Sequence, residues 1–227
     1  MLEIIPAGEN ALIIYFEKKI DSNLLQKISY YSKTIKKDLD KYIIELVPSY
    51  VSIFISFNLN QISQFELIRK LEKVLIKKQN MHDARDISIF EIPVYYGFDV
   101  GLDLKDVLEK KKMELDQFIS IHSQIEYDIF AIGFAPNFAF LGQISNDIRV
   151  PRLDTPRISV PAGSVGIAES QTGVYPINSP GGWNLVGKTP LDLSISNIHI
   201  SSYLRVGEKV RFKPISRKEF ITQGGSL

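Results

Sequence analysis

The chain has 227 residues, 44% of them hydrophobic, which is enough for a packed core and too much for a disordered polypeptide. Its net charge of +1 excludes a bulk electrostatic drive toward nucleic acid or anionic lipid. Cysteine is absent, which excludes disulfides, cysteine–zinc sites and a thiol nucleophile together, and fits a reducing cytoplasm.

The opening run MLEIIPAGENALIIYFEKK breaks its apolar stretches at Pro6, Gly8, Glu9 and Asn10, unlike a signal peptide. No apolar run approaches the ~20 residues of a membrane helix. A soluble cytoplasmic protein without membrane or nucleic-acid partners is expected. Ala11 to Phe16 has strand length and composition. Asp21 or Ser22 then reads as an N-cap, and Leu24, Leu25, Ile28, Tyr31, Ile35 and Leu39 follow at helical spacing. Tyr42–Val47 and Val51–Phe57 read as two strands about a turn at Pro48-Ser49-Tyr50. Ser63 caps a second helix with a broad apolar face: Phe65, Leu67, Ile68, Leu71, Val74, Leu75 and Ile76. Ile87–Tyr96 is strand-like, with Pro93 arguing for an edge or a bulge. The order strand, helix, strand, strand, helix, strand suggests a small ferredoxin-like α/β N-terminal domain over residues 1–88.

Leu104–Met113 and Leu115–His122 read as two short helices. Beyond them the texture changes: Gly133 to Pro190 holds eight of the 14 glycines and seven of the 11 prolines. Short apolar pieces recur among them, at Tyr127–Phe134, Ile158–Val160, Val165–Ala168, Trp183–Val186 and later Val210–Phe212. Many short strands with Gly/Pro turns indicate a β-barrel or sandwich over residues 89–227, giving an α+β chain of two domains. The tail QGGSL is expected to fray.

Proline fixes φ and glycine permits positive φ, so this region encodes one particular irregular backbone path. A loop specified that heavily points to function, or simply to the turns of a barrel. Arg152 and Arg157 each follow a proline and carry the planar fork suited to a carboxylate or phosphate. Ser164 and Gly166 offer a hydroxyl and nearby N–H groups, Gln171 and Thr172 neutral hydrogen-bonding groups, and Tyr175 and the lone Trp183, beside Gly181 and Gly182, aromatic walls. Together they read as a substrate-binding pocket. His122, in FISIHSQ, is a candidate general base or ligand donor, or else a cation capping its helix. His82 reads as a solvated or dipole-facing residue, and His199 as a strand-face residue. Phosphate-loop and H-E-x-x-H motifs are absent, and this Gly/Pro region has only three carboxylates: Asp147, Asp154 and Glu169. No metal site is expected.

The run GF-x-P-x-F-x-x-LG, PR-x-x-x-PR-x-x-VPAGSVGI, QTGVYP, SPGGW and G-x-TP resembles the B-subunit family of 5-oxoprolinase, also called allophanate hydrolase subunit 1 or KipI-like. The resemblance is dense from Gly133 to Pro190. It continues more loosely through IPVYYG, Asp103-Leu104, the IHS around His122 and the opening GENALIIYF, so it spans nearly the whole chain. It implies a small α/β N-terminal domain and a cyclophilin-like β-barrel. It also implies partner subunits A and C, and an ATP-dependent opening of the lactam of 5-oxo-L-proline to L-glutamate. In that setting Arg157 and His122 are candidate catalytic residues, and ATP with Mg²⁺ is held largely by the partners. The alternatives are a KipI-type inhibitor of a sensor histidine kinase, or a subunit acting on an allophanate- or urea-type amide. Two positions depart from the family pattern: Asn137 replaces a glycine and Phe140 a tyrosine. Asn tolerates positive φ, so the backbone path is expected to survive.

Overall fold

The computed structural model describes residues 2–17, 19–76, 87–194, 196–197 and 203–227. His82 and His199, and the roles expected of them, lie outside the described residues. The molecule is mixed α/β with antiparallel sheet dominant, and it divides into two compact units, Met1–Ile87 and Ser88–Leu227.

In the first unit, β1 (Glu3–Pro6) and β2 (Ala11–Tyr15) pair antiparallel. Helix α1 (Ser22–Leu39) follows, then β3 (Ile43–Ser49), β4 (Ser52–Phe57) and α2 (Gln64–Ile76). Asp21 caps α1, its carboxylate accepting the Leu24 N–H at 2.8 Å. The buried face of α1 carries the six apolar residues expected from spacing, and it packs on β3, β4 and α2. At α2, Ser63 and Glu66 close a reciprocal capping box. The apolar face of α2 is narrower than its composition suggests. Leu67, Leu71 and Val74 are buried, whereas Phe65 and Ile76 stand exposed at its ends.

Strand order here is β1-β2-β4-β3. Strand β4 lies between β2 and β3 and is antiparallel to both, which is the split βαβ arrangement. The expected ferredoxin-like order is not what completes it. The strand outside β2 is β1, which precedes the helices instead of following them. The hairpin turn is also displaced: Ser49 pairs with Ser52, so Tyr50 and Val51 make the turn and Pro48 lies within β3.

The strand expected at 87–96 instead begins the second unit as β5 (Ile89–Val94). After it come α3 (Leu104–Lys111), α4 (Leu115–Ser123), β6 (Tyr127–Ile132) and β7 (Ala139–Gly142). Then follow β8 (Arg157–Val160), β9 (Ser164–Ala168), β10 (Gln171–Val174), β11 (Ser179–Gly181) and β12 (Asn184–Lys188). The chain ends through β13 (Lys209–Pro214) and α5 (Arg217–Thr222). Pairing runs β5-β13-β6-β7-β10-β9-β12, with β5 and β13 the parallel pair. The ring then closes on itself: Tyr95 and Lys188, at the ends of β5 and β12, exchange both backbone hydrogen bonds at 2.9 Å. Closure into a barrel removes the exposed edges that so many short strands would otherwise present. Its interior is filled by Ile92, Val94, Ile129, Leu141, Val165 and Phe212 among others. β8 and β11 stay outside the ring as a separate two-stranded ribbon.

The C-terminal tail is held rather than frayed. Lys188 donates to the Ser226 carbonyl at 2.8 Å, and Gly225 lies so close to the Phe220 ring that a Cβ there would stand 2.5 Å from it.

Candidate functional site

The structure sorts the residues singled out from sequence into two places. The first is inside the barrel. His122, on α4, is 0% exposed and stacks between Phe212, centroid at 4.7 Å, and Phe118, at 5.8 Å. Its Nδ1 lies 2.8 Å from the Tyr96 hydroxyl and its Nε2 3.0 Å from Thr172 Oγ1. The Thr172 hydroxyl donates to the Gly166 carbonyl at 3.0 Å, so its proton is committed there. One assignment satisfies every group: Tyr96 O–H donates to Nδ1, and Nε2–H donates to Thr172. Burial pushes the His122 imidazole down to about 3, so it is neutral at physiological pH. Neither expected role holds: with both nitrogens engaged and no exposed surface, His122 is not placed as a base, and a neutral ring does not cap a helix as a cation. It joins α4, β10 and, through Thr172, the β9 backbone. Thr172 is therefore internal too, and Ser164 is 1% exposed at the start of β9. The N–H groups beside Ser164, expected to be available to a ligand, are engaged within the fold. The Gly163 N–H bonds the Tyr175 carbonyl at 2.7 Å and the Ser164 N–H the Pro161 carbonyl at 3.2 Å. Gln171 sits in the ladder, opposite Ala168 and Gly142.

The second place is the rim formed by the ribbon and the Gly/Pro loops. Trp183 is 4% exposed, packed edge-to-face on Phe138 at 5.6 Å and Phe140 at 6.0 Å, in a cluster with Val160, Tyr175 and Leu185. It anchors the loops instead of forming a ligand wall. The glycines beside it make room. A Cβ on Gly166 would stand 3.1 Å from Trp183 Cβ, and one on Gly181 would stand 2.3 Å from the Tyr175 hydroxyl. The Gly182 carbonyl accepts the Leu153 N–H at 2.8 Å, tying the segment that carries Arg152 to the Trp183 loop. Asn137 has φ +64° and donates to the Leu193 carbonyl at 3.0 Å, so the backbone path is kept where asparagine stands for glycine.

Arg157 lies opposite Gly181 in the ribbon. Its Nη2 bonds Asp103 Oδ1 at 2.6 Å, with the arginine side chain 27% exposed and the aspartate 8%. Arg157 Nη1 is enclosed and has no protein acceptor. Arg152 is exposed nearby. Burial raises the Tyr175 phenol, while the Trp183 backbone N–H and the charges of Arg152 and Arg157 pull it back. Tyr175 is thus a neutral hydroxyl facing two guanidinium groups. The fold brings together Arg152, Arg157, Tyr175, Gly181, Gly182 and Trp183. It places His122, Thr172, Ser164 and Gln171 elsewhere, with Gly166 between the two sets.

Asp103 does not stand out in the sequence as a site residue, because its partners are 54 and 82 positions away. Its one signal is the Asp-Leu pair opening a helix, which reads equally well as an ordinary cap.

Among the described residues no three His, Asp or Glu side chains gather as a Mg²⁺ site requires. Asp103, the carboxylate at the rim, is already committed. The residues present do not fit a metal–nucleotide site of their own. No helix among them is long and apolar enough to cross a membrane.

Comparison with known proteins agrees with this architecture. Residues 2–196 match the family model described as carboxyltransferase domain, subdomain C and D. The chain is 36% identical to the B subunit of 5-oxoprolinase from Bacillus subtilis over 94% of its own length and 92% of the relative's. It is 32% identical to the protein of that name from Haemophilus influenzae, over 93% and 97%. Among solved structures, TTHA0988 superposes with a TM-score of 0.79 at 29% identity, covering 90% of this chain but only 40% of that longer one. Kluyveromyces lactis urea carboxylase shares the fold at 17% identity and a TM-score of 0.76, over 98% of this chain and 23% of that one. With a rim of this construction and that likeness along nearly its whole length, the chain belongs to the B-subunit family of 5-oxoprolinase.

Proposed function

We propose that the chain is the B-type subunit of an ATP-dependent 5-oxoprolinase, which hydrolyses the lactam of 5-oxo-L-proline to L-glutamate together with subunits A and C. The likeness to 5-oxoprolinase B subunits over more than nine-tenths of the chain carries the reading. The closed ring of strands suits a cyclophilin-like barrel over 89–227, with 1–88 as the α/β domain. The expected location of the assembly is the cytoplasm.

The chemistry assigned to this subunit is binding and orientation. The substrate is a carboxylate with a planar amide ring. Net reaction adds water across the amide C–N bond, and the uncoupled step is slow because amide resonance resists attack. Nucleotide chemistry falls to the partners. Arg157, whose side chain is 27% exposed, and the exposed Arg152 grip the carboxylate. Fixing the carboxylate holds the lactam carbonyl in one place, and orientation of this kind lowers the barrier to any attack on it.

The test is reconstitution with subunits A and C, followed by ATP-dependent release of glutamate. Losing one charge-assisted hydrogen bond is worth about 1.5–3 kcal/mol, so Arg157→Ala should lower kcat/KM about 10- to 100-fold; it also leaves the buried Asp103 carboxylate without its ion-pair partner, so a lower melting temperature with the fold retained is expected alongside. An assembled complex with no lactam-dependent ATP turnover would sink the reading.

A further inference from the structure

We propose that Asp103 is a positioning residue for Arg157: it touches no substrate itself, and holds the guanidinium in the orientation that receives the carboxylate. The proposal rests on the reading of Arg157 given above.

Each carboxylate oxygen of Asp103 has a different partner. Oδ1 accepts from Arg157 Nη2 at 2.6 Å, and Oδ2 accepts from the Leu185 N–H at 2.7 Å. The backbone locks in the same direction. The Asp103 N–H donates to the Leu185 carbonyl at 2.9 Å, and the Asp103 carbonyl accepts the Val107 N–H, also at 2.9 Å, in the first turn of α3. Rotating the carboxylate would therefore break a buried bond to β12. The loop before it is seated equally firmly, since a Cβ on Gly101 would stand 2.7 Å from the Val186 carbonyl carbon. Asp103 is thus fixed to a helix start and a barrel strand. Arg157 is on the ribbon outside the barrel, next to Ile158, which is 92% exposed. A long side chain in that place loses its rotamer freedom only through a rigid partner. Asp103 supplies one through Nη2, while the Arg157 side chain keeps 27% of its surface exposed. The carboxylate is 8% exposed and has a partner on each oxygen, so it does not compete for the substrate.

The experiment is steady-state kinetics of the reconstituted three-subunit assembly in 5-oxo-L-proline at saturating ATP, with melting temperatures measured alongside. Asp103→Asn keeps an oxygen for the Leu185 N–H and removes the charge that holds Arg157. The expected result is KM raised about tenfold with kcat within about twofold. In an Arg157→Ala background the same change should move KM no further. An unchanged KM in Asp103→Asn, with KM raised in Arg157→Ala, overturns the positioning role and leaves the grip intact. Independent, additive effects in the double variant overturn it as well, because Asp103 would then act through the fold. An unchanged KM in Arg157→Ala removes the grip and this proposal with it. If Asp103→Asn shows no cooperative melt, Asp103→Glu is read instead. Its charge is kept but displaced by a methylene, and a raised KM at wild-type melting temperature supports the proposal while an unchanged KM overturns it.

Discussion

His122 is neutral because taking an imidazolium out of water costs more than the interior returns, and its neighbours are hydroxyls and rings rather than carboxylates. Its folded value near 3 lies below the ordinary 6.5, so between those values the unfolded chain binds a proton that the folded chain refuses. This group therefore leaves stability intact above pH 6.5 and erodes it as pH falls toward 3. The expected loss is about 1.4 kcal/mol per pH unit in that window, or about 2 kcal/mol at pH 5. Urea unfolding at pH 7 and pH 5 measures it, and His122→Gln, with no proton to gain, should flatten the acid limb. In sequence, FISIHSQ displays a histidine on an amphipathic helix with Phe118 one turn before it. The aromatic pair that buries it comes from Phe118, four residues away, and Phe212, ninety residues away.

At the scale of elements, local chemistry and distant packing divide the credit. Helix α1 was legible because spacing and a cap agree, and Asp21→Ala should cost about 1 kcal/mol in a urea melt by removing the Leu24 bond. Strand β1 was not legible. EIIP is short, ends in proline and buries little, so only its pairing with β2 makes it a strand. Strand β11 is similar, with Pro180 inside it, whereas its partner β8 was legible at Ile158–Val160. Of the two glycines of SPGGW, Gly181 is demanded by a neighbour, while a Cβ on Gly182 would meet only ordinary contacts from 3.5 Å. At Gly181 the obstacle is the Tyr175 hydroxyl, 2.3 Å from where a Cβ would stand. Gly181→Ala must push that ring or the ribbon aside. The expected cost is about 1–3 kcal/mol, read as a lower urea midpoint at unchanged m-value.

At the scale of the whole molecule, the rim assembles cations, a phenol and an enclosed donor but no metal cluster among the described residues. As the B-type subunit proposed above, the isolated chain is expected to release no glutamate from 5-oxo-L-proline with ATP, and activity should appear on adding the partner subunits; glutamate release by the chain alone would contradict this.

Composition, the change of texture and the Gly/Pro motif determined a region of many short strands, a barrel or a sandwich, and which family it resembles, because strand length and turn chemistry are local properties; the closure of the ring decided for the barrel. What only tertiary structure decided is which side chains meet. Arg157 finds Asp103 and Trp183 finds Phe138 through a ring of strands closed between Tyr95 and Lys188. His122 leaves the list of reactive groups for the same reason. Burial is set by the path of the whole chain: of the two rings stacked on His122, the neighbouring sequence holds Phe118 but not Phe212.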